Sequence, residues 1–348
     1  MKREGWFLKE ANSQVTSPRI NEKPAAPDFV RFKPVFGQRF LITVDAEEEF
    51  DWRKPLDRYE HRIDSVPTMR KFQQFCEGYG ISPVYLVDYP IATSAGAVEV
   101  LRKPIAENRA EIGVQLHPWV SPPHDEEVNA FNSFAGNLPS TLERAKFTKL
   151  RDAIDQNFGA APRIYRAGRY GAGPNTAAIL TEGGITIDTS VRSLFDYSFE
   201  GGPNYREHPL RPYWIDKAGG LLELPLTTVY WGLAKWLAPW LYPRLWRVPW
   251  LRGLLAAAHL LDRIPLTPEG VRAEEAIRAI DGAIAMGLPV LVLSFHSPSL
   301  MAGNTPYVRS EDDLDTFYDW WRAVFDHLAS RGIRPTRVDE IMDSVALA

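Results

Sequence analysis

From Arg39 onward, short apolar runs alternate with longer segments in which apolar residues recur at helical spacing. The short runs predict strands at 40–44, 83–87, 111–116, 163–166, 186–188, 221–225 and 290–295. Helical spacing and capping patterns predict helices at 66–79, 95–107, 140–158, 271–286 and 310–330. Because strands and helices alternate, the pattern favours parallel βα units and an α/β fold with one principal domain over 37–348.

Two segments stand outside this alternation. Residues 1–36 are polar and aperiodic, which predicts a tail that does not carry the fold. Segment 229–265 is predicted to be an insertion or cap, and its part 229–261 combines tryptophans and leucines with basic residues and prolines. It is too broken and too charged to span a bilayer. Two interpretations stay open: an aromatic cap over the body, or peripheral contact with a membrane surface.

Composition and charge narrow the classes of function. The 348 residues are 45% hydrophobic, so the chain can build a sizeable core. A formal net charge of −4 argues against a nucleic-acid partner. Cys76 is the only cysteine and the first residues do not resemble a secretory signal, so we expect a cytoplasmic protein. Any membrane contact is then expected at the inner face of the membrane.

Carboxylate and imidazole side chains stand where predicted strands end. Asp45 and Glu47 follow the first strand two positions apart, so both can face one side. His117 follows the third strand and His296 ends the last. Since the carboxyl ends of parallel strands meet at one rim, the pattern predicts metal-assisted hydrolysis. One acid and His117 would bind the metal, and His296 is a candidate general acid or further ligand.

Arg166 belongs to the same predicted rim. It stands at the end of the predicted strand 163–166, where a guanidinium beside a carboxylate would keep that carboxylate ionised and oriented. Simpler interpretations stay open at this point: a solvated acidic turn at 47–49 and a surface role for Arg166.

Taken in order, these motifs resemble the polysaccharide deacetylase, or NodB-homology, family of carbohydrate esterases over about 40–341. The resemblance implies a distorted (β/α)7 barrel. It implies that Asp45 is the catalytic base, that Arg166 pairs with it, and that His296 protonates the leaving group. It also implies that Glu47 and His117 are metal ligands. Similarity to the WalW-like subgroup lies in the runs 45–52, 116–119, 266–270 and 296–308.

The chain departs from the family pattern in its second motif. The usual His-x-x-x-His has Ser121 in its second histidine position, and the neutral Gln115 precedes His117 by two residues. The third metal ligand therefore stays open between Gln115, Ser121, Asp45, His296 and an additional water.

The function that the resemblance implies is hydrolysis that depends on a divalent metal, with zinc as the expected ion. The reaction would remove an acyl group, foremost N-acetyl, from an amino sugar of a polysaccharide or a lipid-linked precursor. Two alternatives stay open. One is a glycosidase that uses Asp45 and Glu47 as its carboxylate pair. The other is a non-catalytic protein that binds a carbohydrate or a lipid carrier.

Overall fold

Seven parallel strands form the framework that positions the site. The computed structural model describes residues 19–25, 27–51, 54–245 and 248–346. Its strands are β1 (Arg39–Ala46), β2 (Val84–Val87), β3 (Glu111–Leu116), β4 (Ile164–Ala167), β5 (Ile187–Asp188), β6 (Tyr213–Asp216), β7 (Leu221–Glu223), β8 (Thr228–Trp231), β9 (Asp262–Pro265), β10 (Val290–His296) and β11 (Arg334–Pro335). The parallel strands follow the order β10-β1-β2-β3-β4-β5-β7. β6 pairs antiparallel with β7, and β11 pairs with β1.

Amphipathic helices connect and cover these strands. They are α1 (Met69–Gly78), α2 (Tyr89–Ala92), α3 (Ala95–Ala106), α4 (Ser140–Phe158), α5 (Thr176–Glu182), α6 (Ala238–Leu245), α7 (Pro249–Ala257), α8 (Ala273–Ala285), α9 (Glu311–Ser330) and α10 (Val338–Asp343). In α1, Met69, Phe72 and Cys76 are buried at helical spacing. Phe72 packs edge-on against Phe295 of β10, so the helix face meets the sheet through aromatic contacts.

The sheet curls until its two sides meet at a seam of hydrogen bonds beside β10. Thr227 donates its N–H to the carbonyl of Val292 (3.3 Å), and its hydroxyl accepts the N–H of Val292 (2.9 Å). Ser294 donates its N–H to the carbonyl of Leu266 (3.1 Å). The segments that flank the β8–β9 pair therefore fill the space between β7 and β10.

The predicted strand at 111–116 coincides with β3, and the other six predicted strands lie within two residues of the observed bounds. The antiparallel β6 and the β8–β9 pair were not predicted. β8 and β9 flank a Trp-rich segment whose prolines break every regular alternation, so periodicity gave no signal there.

Residues 27–36 pack on the body through isolated bridges, Phe29 to Tyr213 and Phe32 to Val345, and Phe36 is buried. Residues 1–18 of the predicted tail lie outside the described part of the chain. The predicted insertion is a hairpin, in which α6 and α7 extend from the antiparallel β8–β9 pair. None of the described helices combines the length and the apolar character needed to cross a membrane.

Candidate active site

All five side chains that the sequence singled out line one cavity of about 670 Å³ at the carboxyl ends of the strands. These residues are Asp45, Glu47, His117, Arg166 and His296. Ser121, the residue in the second histidine position of the motif, is buried but does not line this cavity. The structure therefore brings the candidate residues together, while their chemical roles stay predictions.

Asp45 and Arg166 form a buried ion pair at the floor of the cavity. Arg166 donates to Oδ1 of Asp45, to the hydroxyl of Thr43 (2.8 Å) and to the carbonyl of Thr189 (3.1 Å). Both members of the pair are almost fully buried. Because three acceptors fix the guanidinium, Arg166 balances the charge of Asp45 and leaves its Oδ2 turned toward His296.

His296 stands beside Asp45 because β10 is in register with β1 and the two residues are direct partners. Its Nε2 lies 3.8 Å from Oδ2 of Asp45. Its Nδ1 bonds Oε2 of Glu269 (2.7 Å), and Oε1 of Glu269 accepts the N–H of His296 (3.1 Å) and the hydroxyl of Ser299 (2.6 Å). Glu269 therefore holds His296 through both the imidazole ring and the backbone N–H of that residue.

The electrostatics of this cluster favour a protonated His296. Burial disfavours the imidazolium, but the carboxylates of Glu269, Glu47 and Asp45 outweigh it and raise the pKa of His296 to about 10. Burial also acts to raise the pKa of Glu269, yet the charge of His296 and the surrounding hydrogen bonds hold it below its ordinary value. These charges therefore favour the imidazolium form of His296 at neutral pH.

We predict that Glu269→Gln moves the alkaline limb of the pH profile of kcat/KM to lower pH. The substitution removes the nearest carboxylate, so the imidazolium loses its proton earlier, by about 1–2 pH units. A pH series between 6 and 11 measures the shift. Asp281→Asn is the matched control, because Asp281 bonds His327 (3.0 Å) in a carboxylate–imidazole pair outside the cavity. An unmoved limb in Glu269→Gln would argue against His296 as the titrating acid.

Glu47 and His117 face each other on the opposite side of the cavity floor. Oε2 of Glu47 lies 3.4 Å from Nε2 of His117, and Nε2 of Gln115 lies 3.3 Å from the same oxygen. All three residues are buried. Burial raises the pKa of Glu47 to about 8, although the charges of His296 and His117 act in the opposite direction. A buried carboxyl group of this kind gains from a cationic partner.

A second layer behind His117 fixes its orientation. Nδ1 of His117 contacts Oε2 of Glu48 (2.9 Å), and the indole of Trp119 donates to Oε1 of Glu48 (2.7 Å) while it stacks on the imidazole. Asp88 accepts the N–H of Glu48 (2.7 Å). With Glu48 accepting at Nδ1, the lone pair of Nε2 points to Glu47, as metal-binding histidines require.

The close approach of His117 to the neighbouring strand depends on Gly168. A Cβ atom at this position would lie 2.4 Å from Cδ2 of His117 and 2.7 Å from the carbonyl of Leu116. Any larger residue would displace the imidazole, so the missing side chain is part of how the site is built.

Glu47 and His117 fit a divalent ion. Two ligands of a tetrahedral zinc ion stand roughly 3.3–3.6 Å apart, and the measured separation is 3.4 Å. Oε1 of Gln115 is buried without a hydrogen-bond partner, and amide rotation would turn this oxygen toward Glu47. Gln115 thus offers the uncommitted third donor. Oδ1 of Asp45 and Nδ1 of His296 already have partners.

Glu48, Asp88 and His117 also have donor atoms within 4.8 Å of one another. Both oxygens of Glu48 contact ring nitrogens, and the oxygens of Asp88 accept the N–H groups of Glu48 and Ile91. Burial raises the pKa values of both Glu48 and Asp88. Of these three residues only His117 lines the cavity, while Glu48 and Asp88 lie behind it, so the geometry fits the orientation of His117 better than the binding of an ion.

The sequence analysis left three contributors without a role. Glu269 lies in the run 266–270, whose similarity to the WalW-like subgroup was the only signal available for it. Glu48 stands beside Glu47, but a strand-like alternation turns it to the opposite side, where it meets His117. Tyr170 lines the cavity and has a positive φ of 61°, a backbone conformation that no sequence pattern predicted.

The chain matches no protein-family model and no curated protein. Among solved structures, PuuE allantoinase aligns with 92% of this chain and 94% of its own length at 14% identity, with a TM-score of 0.50. The "putative polysaccharide deacetylase" of Mycobacterium smegmatis aligns with 90% of this chain and 98% of its own at 14% identity, with a TM-score of 0.47. A family 4 carbohydrate esterase of Streptomyces lividans, in complex with acetate, aligns with 90% and 97% at 10% identity and a TM-score of 0.41.

The allantoinase alignment, together with the strand order, confirms the predicted distorted (β/α)7 barrel. Structures of carbohydrate esterase family 4, the polysaccharide deacetylases, are thus among the structural neighbours of this chain. The assignment to the WalW-like subgroup stays a prediction.

Proposed function

We propose that this protein is a metal-dependent hydrolase that removes an acyl group, foremost N-acetyl, from an amino sugar. The observation that carries the proposal is the division of the cavity floor into two halves. On one half, Asp45 and His296 stand side by side as a proton acceptor and a charged proton donor. On the other half, Glu47 and His117 face each other at the spacing of two ligands of one ion. Metal-assisted amide hydrolysis would use both halves, one for proton transfer and one for the ion.

The metal is proposed to be held by Glu47 and His117, with Gln115 as the third donor and zinc as the expected ion. When bound, such an ion polarises the acyl carbonyl and makes water more acidic. Glu48 and Trp119 hold His117 in the orientation that ion binding needs. Because burial raises the pKa of Glu47, binding of the cation would be coupled to the release of a proton from its carboxyl group.

The remaining residues handle protons. Asp45 would accept the proton of the attacking water, while Arg166 keeps its carboxylate oriented. His296 would donate its proton to the nitrogen of the amide as the carbon–nitrogen bond breaks, releasing a free amine and a carboxylate. Glu269 is a positioning residue here, because it holds His296 in its donor form and touches no reacting atom in this scheme.

Acetate release from a panel of N-acetylated sugars and oligosaccharides tests the proposal. We expect acetate and a free amine to appear together in equal amounts, with no new reducing ends. New reducing ends without acetate would favour the glycosidase. Binding of a sugar without any product would favour the non-catalytic protein.

We also propose that the insertion contacts a membrane surface, which would bring the cavity to a lipid-linked sugar. Segment 229–261 carries four basic residues and no acidic one. Trp236, Trp240 and Trp250 are 60–74% exposed on its helical hairpin, and Leu233 and Leu254 are exposed as well. Such a basic, Trp-rich surface suits the interface of an anionic membrane. Trp246 and Arg247 of this segment lie outside the described residues.

The root of the hairpin lies at the cavity, because Thr227, Pro265 and Leu266 are part of its wall. The hairpin and the site are therefore neighbours. The hairpin has a small core of its own around Ala238, Tyr242 and Leu261, so the exposed tryptophans are not needed to hold it together.

Vesicle flotation tests the membrane contact. We expect salt-sensitive binding to vesicles that contain anionic lipid, and weakening by about tenfold or more when Trp236, Trp240 and Trp250 are replaced by serine. Val35→Ser with Tyr59→Ser is the matched control, since both residues are similarly exposed outside the insertion. If the wild-type protein floats with neither anionic nor neutral vesicles, the membrane contact is contradicted and the cap interpretation is favoured.

A further inference from the structure

One cation in the cavity wall has no part in the proposed chemistry. Arg192 is half-buried in the loop after β5 and lines the same cavity as Asp45 and His296. The other two arginines of the wall have carboxylate partners, since Arg166 pairs with Asp45 and Arg169 pairs with Glu200. No carboxylate of the described residues forms an ion pair with Arg192.

Aromatic side chains hold Arg192 in place. Its guanidinium carbon lies 4.0 Å from the ring centre of Phe195 and 5.1 Å from that of Tyr170. One nitrogen donates to the hydroxyl of Tyr197 at 3.3 Å. A guanidinium has five N–H donors, so the stacking and the one hydrogen bond seen among the described residues leave most of them for another acceptor. The planar group is thus oriented in advance but not saturated.

A second cation makes the local charge more positive. The guanidinium carbon of Arg263 lies 3.5 Å from the centre of the same Phe195 ring. Burial lowers the pKa of Arg263, and the nearby like charge of Arg192 acts in the same direction. An anion bound at Arg192 would offset these like charges.

The position of Arg192 relates it to the proposed chemistry through Tyr170. The Tyr170 ring lies beneath the Arg192 guanidinium and lines the cavity. Burial raises the pKa of the Tyr170 hydroxyl, and the charges of both Arg192 and Asp45 act on it. Tyr170 therefore lies near both the Arg192 guanidinium and the Asp45 carboxylate, and all three residues line the same cavity.

We propose that Arg192 binds an anionic group, a phosphate or a carboxylate, that the acylated sugar carries. The inference rests on the proposed deacylation and specifies its substrate class. A planar guanidinium held by aromatic rings suits bidentate recognition of such oxygen atoms. Tyr170 and Tyr197 also line the cavity beside it, and aromatic lining is a common feature of ligand pockets.

Three sugars that share the N-acetyl group separate the possibilities: N-acetylglucosamine, its 1-phosphate, and N-acetylmuramic acid, which carries a carboxylate. We expect kcat/KM to be higher for one of the two anionic sugars than for the neutral one. The better anionic sugar identifies the group that the site takes. Arg192→Gln should lower kcat/KM for that sugar by about 10–100-fold and leave the neutral sugar nearly unchanged.

Arg192→Lys keeps a charge without the planar donor set, and it should retain part of the preference while preserving the fold. Arg322→Gln is the matched control, because Arg322 stacks on Phe75 (5.8 Å) outside the cavity. Equal kcat/KM for all three sugars, unaltered in Arg192→Gln, would overturn the subsite and leave deacylation standing. Calorimetric titration separates the reverse case. Arg192-dependent binding of an anionic sugar without acyl release would support the subsite and contradict the proposed reaction.

Discussion

Replacement of Asp45 by asparagine is expected to lower kcat by about 10²–10⁴, the usual contribution of a positioned acid or base. The change is nearly isosteric, and the amide oxygen can still accept from Arg166, so substrate binding should change little. What disappears is the ability of the side chain to take a proton from water. The buried Arg166 loses its counter-charge, so we also expect a lower melting temperature with a cooperative transition.

The measurement is kcat for release of acetate at saturating substrate, with thermal unfolding alongside it. Asp339→Asn provides the control, since Asp339 pairs with Arg163 (2.6 Å) on the surface and should leave kcat unchanged. Turnover at the wild-type rate by folded Asp45→Asn would exclude Asp45 as the base.

Removal of divalent ions is the second large effect that we expect. Dialysis against a chelator should reduce acetate release to the background, and added zinc, cobalt or manganese should restore it. His117→Ala removes one of the two strongest proposed donors and should abolish both reactivation and ion binding. Because Gln115 offers only a neutral amide oxygen, Gln115→Ala should weaken ion binding yet keep most of the reactivation at saturating metal.

Elemental analysis and calorimetric titration with metal follow the ion independently of turnover. Ser121→Ala is the control, as Ser121 is buried outside the cavity and should bind metal like the wild type. If no ion binds at high micromolar concentration and chelator leaves acetate release intact, the metal-dependent scheme is wrong.

Strand ends explain why so much of the site could be predicted from the sequence. Asp45, His117 and His296 each follow an apolar run, and parallel strands bring such positions to one rim regardless of the details of packing. The direct pairing of Asp45 with His296 could not be predicted in this way. It depends on β10 lying beside β1, and these two strands are far apart in the chain. The hydrogen-bonded residues Thr43 and Leu293, for example, are separated by 250 positions.

Loops explain most of what sequence reasoning missed. Glu269 follows β9, so its position depends on the antiparallel pair that carries the insertion, and no periodicity revealed that pair. Gln115 could be named only as one of several open third ligands, because side-chain direction at the end of a strand follows from the local twist. Arg192 lies in an irregular loop, where only the tertiary structure shows that three aromatic residues surround it.

The pairing of Trp231 with Asp262 closes the β8–β9 ribbon at the base of the insertion. Topologically, everything between these two residues is one long hairpin loop, while the seam at Thr227 and Leu266 belongs to the barrel. The molecule is therefore modular at this point. During evolution the hairpin could be shortened, lengthened or replaced without changing the register of the barrel strands or moving a side chain of the cavity floor. Such a change would alter the surface that the hairpin presents.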